Sequence, residues 1–68
     1  MMVLYINGNQ RQFAQANMSV ANLIQLLGLQ GKRLAIERNG EIVPRGLFTE
    51  TTLVSEDKLE IVGAVGGG

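Results

Sequence analysis

An α+β fold, a mixed sheet of four to five strands packed on one main helix, is what this sequence predicts. Three observations carry that prediction. Short apolar or alternating runs at 2–6, 10–14, 34–38, 41–43 and 58–62 read as strands. Two Asn-Gly pairs, Asn7-Gly8 and Asn39-Gly40, fall between such runs, and this dipeptide favours tight hairpin turns. One stretch alone, Val20, Leu23, Ile24 and Leu27, repeats at helical spacing.

Met2-Val3-Leu4-Tyr5-Ile6 is a continuous apolar run, as expected of a strand inside a sheet. After Asn7-Gly8 the chain returns through Gln10-Arg11-Gln12-Phe13-Ala14, so the two form a hairpin. Ser19 is placed to cap the helix, since its hydroxyl can accept from a free N–H of the first turn. Asn22 stands where a capping box prefers Glu or Gln, so the box is expected to be incomplete. Gly28 ends the pattern as a left-handed residue past the cap. A helix of about two and a half turns does not hold itself in water, so it must pack on the sheet.

Leu34-Ala35-Ile36-Glu37-Arg38 is the third strand and Glu41-Ile42-Val43 a short fourth, stopped by Pro44, which has no N–H for a ladder. Gly46-Leu47-Phe48 makes a single helical turn whose Leu47 and Phe48 plug one end of the core. Leu53 and Val54 anchor a connection, and Ser55-Glu56-Asp57 is a turn. In Lys58-Leu59-Glu60-Ile61-Val62, Leu59 and Ile61 face inward. A crossover connection lets the first and last strands lie side by side and parallel, which makes the last strand central.

Composition excludes several functions. Six basic and six acidic residues cancel, so neither nucleic acid nor a membrane surface is the expected partner. The chain has no cysteine and no histidine, which removes thiolate chemistry and the commonest general base and metal ligand. The start of the chain lacks the basic leader of a signal peptide, and a cytoplasmic location is expected. Glu50, Glu56, Asp57 and Glu60 form a late acidic cluster, read as a solvated face. Adjacent Glu56 and Asp57 do not make a hydrolytic pair. Glu37-Arg38 and Glu41-Arg45 are the expected ion pairs, of little weight at a surface.

What remains is the stretch 63–68: Gly63, Ala64, Val65, Gly66, Gly67, Gly68. It follows a folded body spanning 1–62. Nearly free of side chains, it can enter a narrow space, and at about 3.3 Å per residue it reaches roughly 20 Å. Its terminal carboxylate at Gly68 is the one group of chemical interest. A carboxylate is a poor electrophile until it carries a leaving group, and the chain has no nucleotide-binding motif of its own. The chain is therefore expected to be acted on by another protein rather than to be an enzyme.

The strand–helix order and the Gly-Gly end resemble ubiquitin-like β-grasp proteins. Within that group, Asn39-Gly40-Glu41-Ile42-Val43-Pro44-Arg45 and the ending Ile61-Val62-Gly63-Ala64-Val65-Gly66-Gly67-Gly68 resemble the ThiS family, the sulfur carriers of thiamine biosynthesis. The resemblance runs along nearly the whole chain. It departs at Glu56-Asp57, where the family usually has Gly-Asp, and at Gly63, where a polar or basic residue is common. The resemblance implies that a ubiquitin-activating-type enzyme uses ATP and Mg²⁺ to adenylate Gly68. This chain would bind neither cofactor nor metal. A sulfur donor, usually a cysteine persulfide, would then leave a thiocarboxylate, and a thiazole synthase would accept the sulfur. Val65, Gly66 and Gly67 would thread the partner's active site.

If Leu4 and Ile6 face the helix, Val3 and Tyr5 face away, and with Val62 they make an apolar patch for a partner on the open side of the sheet. Three other readings stand beside the sulfur carrier. A molybdopterin synthase small subunit is also a β-grasp sulfur carrier, but such chains are typically longer and lack the Ile42-Val43-Pro44-Arg45 stretch. A ubiquitin-like modifier would form isopeptide bonds with lysines. A plain binding module would leave the glycine tail idle.

Overall fold

The computed structural model describes residues 1–63. In chain order the elements are β1 (Met2–Ile6), β2 (Asn9–Phe13), β3 (Met18–Ser19), α1 (Val20–Leu26), β4 (Leu34–Arg38), β5 (Glu41–Ile42), a 3₁₀ turn (Arg45–Leu47), β6 (Thr52–Leu53) and β7 (Lys58–Gly63). Five strands form one sheet in the order β2-β1-β7-β4-β5. β7 pairs parallel with β1 and antiparallel with β4, so the last strand is central, as the sequence predicts. β7 extends through Gly63, one residue past the expected boundary of the body.

Both hairpins of this sheet turn on the same chemistry. Asn7 and Gly8 have φ of 51° and 84°, and Asn39 and Gly40 have 52° and 89°. Two successive positive φ values are what a two-residue turn needs to match the right-handed twist of its strands. Asparagine tolerates that conformation better than other side chains, and glycine adopts it freely.

The helix is tied down at both ends. Ser19 Oγ accepts from the Asn22 N–H at 3.0 Å, and Asn22 Oδ1 accepts from the Ser19 N–H at 3.1 Å. The capping box is thus complete with asparagine in the place of Glu or Gln, correcting the expectation of an incomplete one. The N–H groups of Val20 and Ala21 reach the carbonyls of Thr51 and Phe48, which satisfies two more donors of the first turn. Gly28 has φ of 72°, and the Leu29 N–H returns to the Ile24 carbonyl at 3.0 Å. This is a Schellman ending of the helix.

One face of the sheet supplies Met2, Leu4, Ile6, Ile36, Leu59 and Ile61 to the core, and the helix supplies Val20, Leu23 and Ile24. Leu4, Val20, Leu23 and Ile36 are wholly buried. Met18, Val43 and Leu53 close the remaining sides, with Phe13, Leu27, Leu29, Leu34 and Phe48 packed around them.

Three local expectations need correction. Leu53 is not in a plain connection but in β6, paired antiparallel with β3 in a second, two-stranded sheet. Val54 is exposed rather than an anchor. Leu47 is also exposed, and Phe48 alone plugs its end of the core.

The root of the glycine tail

The site predicted at Gly68, together with Val65, Gly66 and Gly67, lies outside the described residues. What the structure describes is its root, the strand β7 that ends at Gly63. β7 is held from both sides. On the β1 side a ladder of bonds to the β1 main chain runs up from the 55–57 turn. The Val3 N–H donates to Ser55 Oγ at 3.0 Å, and the Glu56 N–H donates to the Val3 carbonyl. Tyr5 and Asn7 then donate to the carbonyls of Asp57 and Leu59, at 3.0 and 2.8 Å.

At Asn7 the β1 strand turns away, and the asparagine side chain takes over the ladder. Its Oδ1 accepts from the Ile61 N–H at 2.7 Å, and its Nδ2 donates to the Ile61 carbonyl at 3.0 Å. Asn39 does a related job at the other end of β7, on the β4 side. Its N–H donates to the Lys58 carbonyl at 2.7 Å, and its Oδ1 accepts from the Lys58 N–H at 2.9 Å. The two Asn-Gly turns therefore clamp opposite ends of the same central strand.

The start of β7 rests on a buried carboxylate that the sequence reading placed on a solvated face. Asp57 is only 4% exposed. Its Oδ2 accepts from Arg38 Nε at 2.8 Å and from the Val54 N–H at 2.9 Å, and its Oδ1 accepts from Asn39 Nδ2 at 3.0 Å. Burial alone raises the pKa of this carboxyl. The bonds from Val54, Asn39 and Arg38, with the charge of Arg38, outweigh it and hold the pKa below its ordinary value of 3.8. Among the described residues Arg38–Asp57 is the ion pair, in place of Glu37-Arg38 and Glu41-Arg45. The signal was present in the sequence only as an Arg and an Asp 19 residues apart, which no local pattern connects.

The predicted patch residues share the face of the sheet turned away from the helix. Val3 and Tyr5 are half-buried on β1, across from Gln12 and Gln10 of β2. Tyr5 stands level with Lys58, and Val62 lies four residues further along β7, about 13 Å away at strand rise. Lys58 stands beside Tyr5 on that face, and Glu60 lies between Lys58 and Val62. Glu60 is paired directly with Glu37, whose other neighbour across the sheet is the exposed Ile42. Val62 is 55% exposed and pairs with Ala35. The apolar groups are thus divided between the two ends of the face by a charged band.

Among the described residues no cluster of three or more acidic or metal-ligating side chains could hold a metal ion. No helix among them is long and apolar enough to cross a membrane.

Comparison with known proteins agrees with this geometry. The ThiS family model matches residues 4–68. The chain is 32% identical to the sulfur carrier protein ThiS of Bacillus subtilis over 66 residues, covering 97% of this chain and all of that one. It is 45% identical over 67 residues to a thiazole synthase of Paramagnetospirillum magneticum, and there it spans only 20% of the longer protein's length. The crystal structure of the thiamine biosynthesis protein ThiS from Geobacter metallireducens superposes with a TM-score of 0.87 at 30% identity. It covers 98% of this chain and all of that one. The central strand leading to a glycine tail, the single helix and the five-stranded mixed sheet are those of a ubiquitin-like β-grasp, and this chain belongs to the ThiS family.

Proposed function

We propose that this chain is a cytoplasmic sulfur carrier of thiamine biosynthesis, a substrate and carrier rather than an enzyme. Its reacting group is the Gly68 carboxylate. An adenylating enzyme of the ubiquitin-activating type binds ATP and Mg²⁺. A carboxylate oxygen of Gly68 attacks the α-phosphorus, pyrophosphate leaves, and an acyl-adenylate forms. The terminal sulfur of a cysteine persulfide on a donor protein then attacks the acyl carbon and expels AMP. A second thiol cleaves the resulting acyl disulfide, becoming disulfide-bonded itself and releasing the thiocarboxylate. A thiazole synthase takes the sulfur from there. Val65, Gly66 and Gly67 pass through the narrow approach to each partner's active site, where the small side chains offer no obstruction.

The observation that carries this reading is family membership along residues 4–68, a match that includes the tail itself. Two others support it. The Paramagnetospirillum thiazole synthase contains a stretch like this chain within a longer protein, which fits a carrier that works beside such an enzyme. The lack of histidine and cysteine leaves the terminal carboxylate as the chemically useful group.

The test is the intact mass of the chain after incubation with ATP, Mg²⁺, a sulfide source and the adenylating enzyme. A gain equal to exchanging one oxygen for sulfur at Gly68 is the expected result. Absence of both that gain and an adenylate, with an enzyme that loads a known ThiS protein, would refute the reading.

A further inference from the structure

We propose that Asn7 is a positioning residue for the reaction at the tail: its side chain stands in for the missing part of β1 and fixes the direction in which β7 ends. The inference rests on the sulfur-carrier reading above. It starts from a mismatch of strand lengths. β1 ends at Ile6, level with Leu59, whereas β7 continues to Gly63. Without Asn7, residues 60–63 of the central strand would have main-chain partners on the β4 side alone, as an edge strand does. An edge strand bends and frays more readily than one bonded on both sides.

The amide of Asn7 reproduces what a further strand residue would give. A strand residue offers one N–H and one C=O to its neighbour. Asn7 offers one N–H from Nδ2 and one oxygen from Oδ1 to the carbonyl and N–H of Ile61. Its left-handed backbone, φ of 51°, lets the side chain reach β7 while the main chain turns into β2. Both bonds are part-buried, so they are sheltered from exchange with water. Among the described residues nothing else from the β1–β2 hairpin bonds to the β7 main chain beyond Leu59.

The position matters because of leverage. When a partner draws the chain out straight, Gly68 stands five residues beyond Gly63, about 17 Å at strand rise. A swing of about 10° at the root then displaces the end by roughly 3 Å, and in-line attack tolerates far less. Holding β7 from the β1 side at Ile61 and from the β4 side at its neighbours removes that freedom before the partner binds. Loading then loses less to ordering the root at the moment of reaction.

Asn39 provides the control. It also lies in a left-handed Asn-Gly turn and also bonds to β7 through its side chain, but at Lys58, the far end from the tail. Glycine fits both positions, so Asn7→Gly and Asn39→Gly preserve the turns while removing the side-chain bonds. Asn7→Asp keeps an acceptor for the Ile61 N–H but faces the Ile61 carbonyl with an oxygen that has no proton to give.

The experiment measures adenylate formation by pyrophosphate release, with the full chain as varied substrate and an adenylating enzyme that loads the wild-type chain. Amide hydrogen exchange at Ile61 and Val62 is followed in the free proteins by NMR. The expected result is a fall in kcat of about tenfold for Asn7→Gly and for Asn7→Asp, with KM within about twofold of wild type. Asn39→Gly keeps the wild-type kcat even though it destabilises the fold. Faster exchange at Ile61 and Val62 is expected in the Asn7 variants only. Equal kcat in Asn7→Gly and wild type overturns the inference, as does an equal fall in Asn7→Gly and Asn39→Gly. A wild-type chain that is not adenylated at all counts against the sulfur-carrier reading instead. In that case exchange at Val62 unchanged by Asn7→Gly still overturns the assignment.

Discussion

Arg38 and Asp57 join the last residue of β4 to the turn that launches β7, with Nε and Oδ2 2.8 Å apart. The pair is asymmetric, since the arginine side chain is 30% exposed and the carboxylate 5%. The guanidinium stays wetted while the acid gives up nearly all its water. Asp57 recovers that loss through three hydrogen bonds, one of them to the main chain of Val54.

Stability should therefore fall in acid through this one group. The folded-state pKa of Asp57 is lowered, so its contribution is fully present above the ordinary value of 3.8 and is lost as pH falls through the folded value beneath it. Urea melts of the wild type and Asp57→Asn at pH 7 and pH 3 test this. The variant should lose about 2 kcal/mol at pH 7, and the gap between the two should narrow at pH 3. An equal gap at both pH values would show that charge on Asp57 is not what stabilises the turn.

Glu56 carries a conformational strain that is easily relieved. It has φ of 77°, a left-handed conformation that costs an ordinary side chain about 1–2 kcal/mol. Its side chain is exposed. Glu56→Gly should raise stability by about 0.5–1 kcal/mol, after allowing for the extra freedom of glycine in the unfolded chain. A drop in the urea midpoint would contradict the strain argument.

Two isoleucines of the neighbouring strands β4 and β5 should respond very differently to truncation. Ile36 is wholly buried against the helix side of the sheet, and Ile42 is 64% exposed on the other side. Ile36→Ala should cost roughly 3 kcal/mol, a large part of the stability of so small a domain, and Ile42→Ala less than about 0.5 kcal/mol. Thermal melts followed by circular dichroism would separate them, and comparable losses would mean that the sheet is not covered on one face only.

Removing Gly68 should leave the melting temperature unchanged while abolishing thiocarboxylate formation. Among the described residues the core is built within 2–61, and Gly68 has no side chain to add to it. Normal sulfur loading of the shortened chain, read by intact mass, would move the reacting group elsewhere.

Much of the fold was legible because local chemistry and global arrangement agree. The two Asn-Gly pairs fixed two hairpins, and the spacing of Val20, Leu23 and Ile24 fixed the buried face of the helix. β1 and β4 have the boundaries the apolar runs suggest. The β3–β6 pair was hidden because two residues per strand carry no period to detect. Asp57 was misplaced for a different reason. Its neighbours Glu56 and Lys58 are exposed, and nothing nearby in sequence announces Arg38 or Asn39 as partners. The same applies to Asn7. The sequence marks it as a turn residue, but its bonds to Ile61 span 54 residues. Long-range polar contacts of this kind leave no imprint on hydrophobic pattern.

The central place of β7 also bears on how the protein comes into being on the ribosome. Until residues 58–63 have emerged, the nascent chain holds two hairpins with no strand to bridge them, and the buried faces of β1 and β4 stay open. Folding must wait until β7 has left the ribosome, and it then closes contacts between the first strand and the last. A product cut short before β7 stays unfolded and is open to proteases. Quality control is thereby built into strand order: any molecule folded well enough to meet a partner has already made the strand from which its glycine tail departs.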